Sequence, residues 1–492
     1  MRNRDLPKIK SVKLNILMNA ILKMSAFIFP LITFPYVSRI LGASGNGKVA
    51  FAESIVSYFA IFSQLGIPTY GIKKCAECRE NKEELNQTVQ ELLLLNIVTM
   101  FVTYIALFIL VMSVPRLAES RVLIFISSAS ILLNACGMDW LFQALEQYTY
   151  ITFRNLGFKI VSIILMFALI HSPKDYVVLC AINVVGNYGS NILNFLYARR
   201  FLSFKKRKKY QIRRHIKPIL IFFLLSVSIT IYTSLDSVML GFLSSTAEIG
   251  FFAAATKMKT ILTSAVSSVG TVMLPRMSAY VSQGKVEDFR IMISKSLNLI
   301  FLLTVPLCLY FFIMSDATID FLAGAGYVAA VIPMRILSFT VFFIGVTNVL
   351  GLQVLVPTGR EKWTAVSTLI GAFVDFIVNL FLIPKLGAIG AAWATFAAEF
   401  SVLIFQIFIL RDELKNFFIG IKFFRILAAG LLSFFALSVF IRFFSDLNSF
   451  YRLLISAPFF FILYGLLLLI FKEPFTRIYL VQNSVKLLKH KN

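Results

Sequence analysis

Residues Ser234–Lys259 read SLDSVMLGFLSSTAEIGFFAAATKMK, two apolar stretches joined by a Gly/Ser/Thr-rich link, with Asp236 in the first and Lys257 in the second. If each stretch is a helix crossing a bilayer at about 1.5 Å per residue, both charges lie several residues below the link at Gly241–Gly250, at similar depth. A charged side chain near the bilayer centre costs about 2.5–3.5 kcal/mol even on lenient scales, so each must face a partner or a wet cavity. Two readings stay open: a structural ion pair between Asp236 and Lys257, or a transport pathway lined by them.

The rest of the chain has the same character. Of its 492 residues 58% are hydrophobic and 51 are Phe, and the mean hydropathy is +0.82. Apolar runs long enough to span a bilayer recur from end to end, continuous and not alternating, which predicts an all-α polytopic membrane protein and excludes a β-barrel. About fourteen such segments can be drawn, near 13–41, 47–71, 85–114, 121–144, 151–171, 176–201, 216–243, 248–275, 291–315, 327–353, 361–384, 388–410, 420–444 and 450–471. An even number places both termini on one side. Connectors on that side hold most of the Lys and Arg, including the run Lys205–Lys209 with Arg213 and Arg214. The positive-inside rule then predicts a multi-pass membrane protein with both termini in the cytoplasm. It also accounts for the net charge of +24 without a nucleic-acid partner. The apolar run after the N-terminal MRNRDLPKIKSVK reaches about Leu41, too long for a signal-peptide core, and reads as an uncleaved first helix.

A weak internal repeat is visible. Leu41-Gly42 opens a link ending at Gly47, Leu240-Gly241 one ending at Gly250, and Leu386-Gly387 one ending at Gly390, each followed by an Ala-rich helix start. Glycines permit tight turns, and small residues let helices approach closely in lipid. The repeat predicts two pseudo-symmetric six-helix lobes, 1–202 and 216–410, separated by a basic cytoplasmic hinge at 203–215. Two further helices and a cytoplasmic tail occupy 411–492. Repeated halves around a midplane site are common in secondary transporters.

Other motifs are weaker. Gly42–Lys48 matches G-x-x-x-x-G-K, but Val49 replaces the Ser/Thr and no strand precedes it, so ATP hydrolysis is not expected. Cys75 and Cys78 form a CxxC without the further ligands of a zinc site, and no metal or other cofactor is called for. His171, His215 and His490 all fall in loops or the tail. Pro30 and Pro35 should kink the first helix. Within it Lys23 lies too deep to snorkel fully, whereas Arg39 lies near the external end. Glu53, Asp139, Lys259, Arg335, Asp375 and Glu399 complete the intramembrane ionisable set, with Asp139 and Arg335 near segment ends and structural in character.

The stretch at Ser234–Lys259 resembles the helix 7–8 signature of the polysaccharide-repeat-unit flippases, the Wzx-type branch of the multidrug/oligosaccharidyl-lipid/polysaccharide exporter superfamily. DWLFQALEQYTYITFRN (Asp139–Asn155), NVLGLQVLVPTGREKW (Asn348–Trp363), IPKLGAIGAAWATFAAE (Ile383–Glu399) and SRILGASGNGKVAFAESIVSYF resemble other patches of that family, in matching order. The resemblance implies a two-lobed fold that alternates between inward- and outward-open forms. It implies an undecaprenyl-diphosphate-linked oligosaccharide as substrate, flipped to the outer leaflet for capsule, exopolysaccharide or O-antigen synthesis alongside a polymerase and glycosyltransferases. The residues are compatible. Lys23 and Lys257, one from each expected lobe, with Arg39 nearby, could bind the diphosphate. Asp236, Glu53, Glu399 and Asp375 could couple an ion gradient or serve as structural charges.

A drug or small-metabolite antiporter on the same fold is the first alternative; it would favour twelve helices and a more acidic cavity. A membrane glycosyltransferase or polymerase would need a long external loop or an acidic cluster, and a channel would need a filter-like loop. The topology has a direct test: cysteines placed in the Lys205–Lys209 run should react with an impermeant label only from the cytoplasmic face, and one at Ser244 only from outside. The reverse pattern at either position would discard the fourteen-helix topology.

Overall fold

The computed structural model describes residues 11–200, 202–203 and 210–474, which are helices and connectors with no strand among them. The Lys205–Lys209 run, His490 and most of the tail lie outside the described residues. The long helices, in chain order, are α1 (Val12–Gln64), α2 (Ile67–Glu77), α3 (Lys82–Ser113), α4 (Arg121–Gly137), α5 (Asp139–Ala144), α6 (Tyr148–Leu169) and α7 (Tyr176–Ala198). They continue with α8 (Arg213–Leu243), α9 (Thr246–Ser282), α10 (Val286–Ile313), α11 (Val331–Asn348), α12 (Glu361–Leu386), α13 (Ala388–Ile409), α14 (Phe423–Phe440) and α15 (Ser449–Ile470). Each expected apolar segment coincides with one of these helices or a consecutive pair of them. Among the described residues ten helical runs are long and apolar enough to cross a membrane, and Arg121–Gly137 and Thr233–Leu243 are shorter apolar helices. This is a multi-span α-helical membrane protein.

α1 shows how the sequence sets the path. Its 53 residues would reach roughly 80 Å at 1.5 Å each, far beyond one bilayer crossing. Helical dihedrals persist through Pro30 and Pro35 and fail only at Gly42 (φ 65°, ψ −178°), so the prolines do not interrupt the helix and the glycine does. Positive φ is strained for any residue with a Cβ. Gly387 (φ 53°, ψ −127°) makes the same single-residue break between α12 and α13. The third Leu-Gly pair behaves differently. Gly241 stays inside α8, where an added Cβ would overlap the ring of Phe51, and the turn falls later, at Ser244. Residues 43–64 are helical too, so the expected links at Gly42–Gly47 and Gly241–Gly250 are tighter than the glycine pattern suggested.

Packing divides the chain into two compact units, Met1–Gly250 and Phe251–Asn492. In the first, α3, α4, α6 and α8 all pack on α1. At one end of it the two repeat-equivalent glycines interlock: a methyl on Gly47 would collide with the Thr246 carbonyl, and one on Gly250 with the Ala43 carbonyl. Ser44 and Thr246 join their hydroxyls there at 3.1 Å. Lys48 places its ammonium over the Tyr176 ring at 4.7 Å, so the G-x-x-x-x-G-K string is packed helix. In the second unit α12 and α13 form the most extensive helix pair, α11 packs on α13 and α10, and α14 and α15 add a further pair. The packing division thus leaves α8 in the first unit; the six-helix lobes divided at 203–215 stay a proposal drawn from the repeat.

The glycine contacts make a stability prediction with its own control. Gly47→Val and Gly250→Val should lower the thermal midpoint of the detergent-solubilised protein well below that of Gly157→Val, since Gly157 in α6 has open space where its Cβ would lie. Equal shifts at all three positions would show that the crossing does not depend on backbone approach.

Candidate transport site

In the first unit the expected residues of α1 divide by environment. Lys23 is exposed on the first half of the helix. Arg39 is also exposed, and its Nη1 donates to the Pro35 carbonyl one turn earlier at 2.7 Å. Glu53 is exposed and accepts from Asn183 Nδ2 of α7 at 2.9 Å. Asp236 of α8 is buried. Lys257 lies half-buried on α9, in the second unit.

The second unit holds the most ordered polar feature. The buried residues of α12 are Ser367, Gly371, Asp375, Asn379 and Ile383, one every four positions and hence a single stripe. α13 answers with Ala391, Ala392, Ala394, Ala398 and a buried Glu399. Gly390 fits against the Leu382 carbonyl, where a Cβ would find no room. The seam is pinned by Gln406 Nε2 donating to Ser367 Oγ at 3.1 Å. The sequence reading picked out Asp375 and Glu399; the structure adds Asn379 on the α12 stripe, 0% exposed, and on α13 the buried Thr395, whose hydroxyl donates to the Ala391 carbonyl at 3.1 Å. The signal was present as polar residues at four-residue spacing inside an apolar helix. Carboxylates in such a seam have the chemistry to take up a proton or a small cation.

Other charged residues escaped the sequence reading. Lys159, midway along α6, donates to Ser25 Oγ of α1 at 3.0 Å and lies 5.3 Å from the Phe29 ring centre. It is a lone lysine in an apolar run, the same signal that marked Lys23. Arg154 Nη2 donates to Asp139 Oδ1 at 2.8 Å, and Asn194 Nδ2 reaches the same oxygen at 2.6 Å. The two ends of the motif Asp139–Asn155 therefore close on each other, which gives Asp139 the structural role its position suggested. Arg335 likewise donates to Ser315 Oγ at 2.9 Å.

Glu91 of α3 is a further case. It is fully buried and accepts from Gln211 N (2.6 Å), Arg214 Nη2 (2.8 Å) and His215 Nε2 (2.8 Å), while Tyr70 lies 2.7 Å from His215 Nδ1. Ser203 N donates to Asn86 one turn away, so α3 grips the chain on both sides of the basic run. His215 is thus no loop residue but the third residue of α8, 0% exposed.

With this geometry in place the chain can be compared with known proteins. A family model for polysaccharide biosynthesis proteins matches residues 12–281, more than half of the chain. The chain belongs to the polysaccharide biosynthesis protein family. A member of Escherichia coli (strain K12), whose name proposes an O-antigen transporter, is 23% identical over 405 residues, 82% of this polysaccharide biosynthesis protein and 97% of that one. The solved structure of the lipid II flippase MurJ, in an inward closed conformation, is similar with a TM-score of 0.67 at 18% identity, covering 93% of this chain and 98% of that one. An inward-facing multidrug resistance MATE family transporter of the MOP superfamily follows at 0.59 and 14% identity, covering 82% and 98%. The chain shares the fold of these two structures.

The Glu91 cluster predicts a pH dependence. Burial holds His215 below its ordinary range, with the charge of Arg214 acting the same way and Glu91 opposing both. Its folded pKa is therefore lower than its unfolded value of about 6.5. The neutral ring contributes stability above that value, and the contribution is lost as pH falls toward the folded pKa. The melting temperature in detergent should drop between pH 7.5 and 5.5, and His215→Gln should flatten that slope. An unchanged slope would remove His215 from the account.

Proposed function

We propose that this protein is a flippase that moves undecaprenyl-diphosphate-linked oligosaccharide repeat units from the cytoplasmic to the outer leaflet by alternating access. The observation that carries the reading is the similarity, over 82% of this chain and 97% of the other, to a relative named for O-antigen transport, together with the family match. The host membrane is the bacterial plasma membrane, both termini are cytoplasmic, and the polymerase and glycosyltransferases of the same pathway are the working partners. Transport by rearrangement of helices uses no ATP site, and the Gly42–Lys48 string is helical from residue 43 onward with Lys48 over the Tyr176 ring.

Lys23 and Lys257, with Arg39, are proposed to bind the diphosphate, since a doubly anionic head entering low dielectric requires cations along its path. Lys159 is a fourth candidate because it too carries charge within an apolar helix. The carboxylates Asp236, Glu53, Glu399 and Asp375 are proposed to couple an ion gradient; one charge crossing 100 mV is worth about 2.3 kcal/mol. A second reading, an ion-coupled small-molecule antiporter, is favoured by the likeness to the MATE fold and by the buried acidic seam of α12 and α13.

A charge exchange distinguishes substrate binding from a structural pair. Lys23→Ala and Lys257→Ala should each abolish most surface polysaccharide in a complementation assay at normal membrane abundance. The double variant Asp236→Lys with Lys257→Asp should not restore it, because an exchanged pair keeps its attraction but misplaces the cation. Export by the exchanged pair, or by both alanine variants, would refute the cationic site.

A further inference from the structure

At one end of the second unit the first half of α10, the last turns of α13 and the start of α14 meet around the connector 418–422. Phe301, Phe342, Phe418 and Phe423 wall a groove there of about 700 Å³. The ring of Phe301 lies 5.6 Å from Phe342, 6.1 Å from Phe418 and 5.0 Å from Phe423, so the aromatics form one continuous apolar wall. Lys422 and Arg425 line the same groove. Ile421 also belongs to the wall of a second cavity of about 270 Å³, where Arg290, Lys295, Ser294 and Asn298 stand among apolar residues. Lys295 precedes Phe301 by six residues, so helical rise places it roughly 9 Å nearer the start of α10. A cationic pocket at the end of the bundle thus adjoins an aromatic groove that runs deeper.

The charge balance favours an anion. Four cations line the two cavities against one lining carboxylate, Glu287, which lies 3.8 Å from Arg290 with a side chain 76% exposed, and the buried Glu473, which accepts from Asn298 at 2.9 Å. Arg290 and Lys295 give the pocket its charge, while Lys422 and Arg425, the latter donating to the Lys472 carbonyl at 2.9 Å, line the adjoining groove. The connector also exposes Ile419 (68%) and Phe424 (83%), which water would penalise and an interfacial lipid layer would accept. A free anion would leave the aromatic groove empty, and a zwitterionic lipid would leave the cations uncompensated.

We infer that this end of the second unit is a binding site for an anionic phospholipid of the leaflet it faces, with the phosphate headgroup in the cationic pocket and an acyl chain along the phenylalanine wall. The inference rests on the chain spanning a membrane and not on the identity of its transported substrate. Basic side chains close to the surface attract anionic lipid by about 1 kcal/mol each, and here the adjoining groove gives that attraction a fixed address.

Phe424→Trp places a fluorescent reporter at an exposed position beside the groove. This full-length variant would be reconstituted into phosphatidylcholine vesicles carrying an equal mole fraction of either dibrominated phosphatidylglycerol or dibrominated phosphatidylcholine. The signal of Trp140, Trp363 and Trp393 is subtracted with the parent chain. Quenching by the glycerol lipid should exceed that by the choline lipid by about twofold or more. The added substitutions Arg290→Gln, Lys295→Gln and Lys422→Gln should abolish the difference, whereas Arg290→Lys, Lys295→Arg and Lys422→Arg should retain it. Equal quenching in the reporter variant, or a preference that survives neutralisation, would overturn the site. So would displacement of the quencher by an equimolar polyprenyl diphosphate, which would assign the groove to the transported lipid. The readout is binding at equilibrium, so its failure leaves the transport reading standing.

Discussion

Hydrocarbon offers a peptide backbone no hydrogen-bond partner, and the architecture of this chain follows from that constraint. Among the described residues every long segment is helical, so each N–H and C=O finds its partner within its own segment. Breaks are brief and occur where a residue can bear them. Gly42 and Gly387 each interrupt a helical run at a single position with positive φ. Because lipid also removes the hydrophobic drive for helices to associate, contact has to come from backbone proximity. That is the role of the Gly47–Gly250 crossing and of the alanine face that α13 presents to α12.

Charge obeys the same constraint in two ways. Near helix ends it is paired. Arg79 meets Glu146 at 2.8 Å, Arg154 meets Asp139 at 2.8 Å, and Arg360 grips Glu413 with both terminal nitrogens at 2.7 and 3.1 Å. The first and third are half-exposed and contribute modestly to stability. Glu91 is different, since removing one partner of a buried pair costs about 3–5 kcal/mol. Its four polar neighbours tie α2, α3 and the start of α8 into one block. The motifs that carried the family resemblance turn out, at these points, to be connector locks: Asp139–Asn155 closes on itself, and Arg360 within Asn348–Trp363 fastens to Glu413.

Other charges stand within the apolar helices. Lys23 is exposed within a spanning helix, Lys159 donates to a hydroxyl of α1 beside the Phe29 ring, and Asp375 and Glu399 are buried. A transporter needs groups whose compensation changes during the cycle. Tightly paired charges such as Asp139 and Arg154 are poor candidates for that role. On this ground the division of labour proposed between cations for an anionic head and carboxylates for a coupling ion is physically consistent.

The sequence by itself determined the class of fold, where the apolar helices lie and the family, because hydropathy and turn-forming glycines are local properties that survive without knowledge of neighbours. It also identified Asp375, Glu399 and Asp236 as intramembrane charges, since an ionisable residue in an apolar run is conspicuous wherever it points. It misjudged Gly241, whose Leu-Gly context matched two true breaks; only the Phe51 ring pressed against it shows that this glycine serves packing. It misplaced His215 in a loop and overlooked Glu91, because a buried ion cluster is assembled from residues more than a hundred positions apart. The stripe that joins Asp375 to Asn379, and the phenylalanine groove beside Lys422, were likewise decided by tertiary structure. Which face of a helix meets another helix, and which meets lipid, is a property of the assembled bundle and not of any one segment.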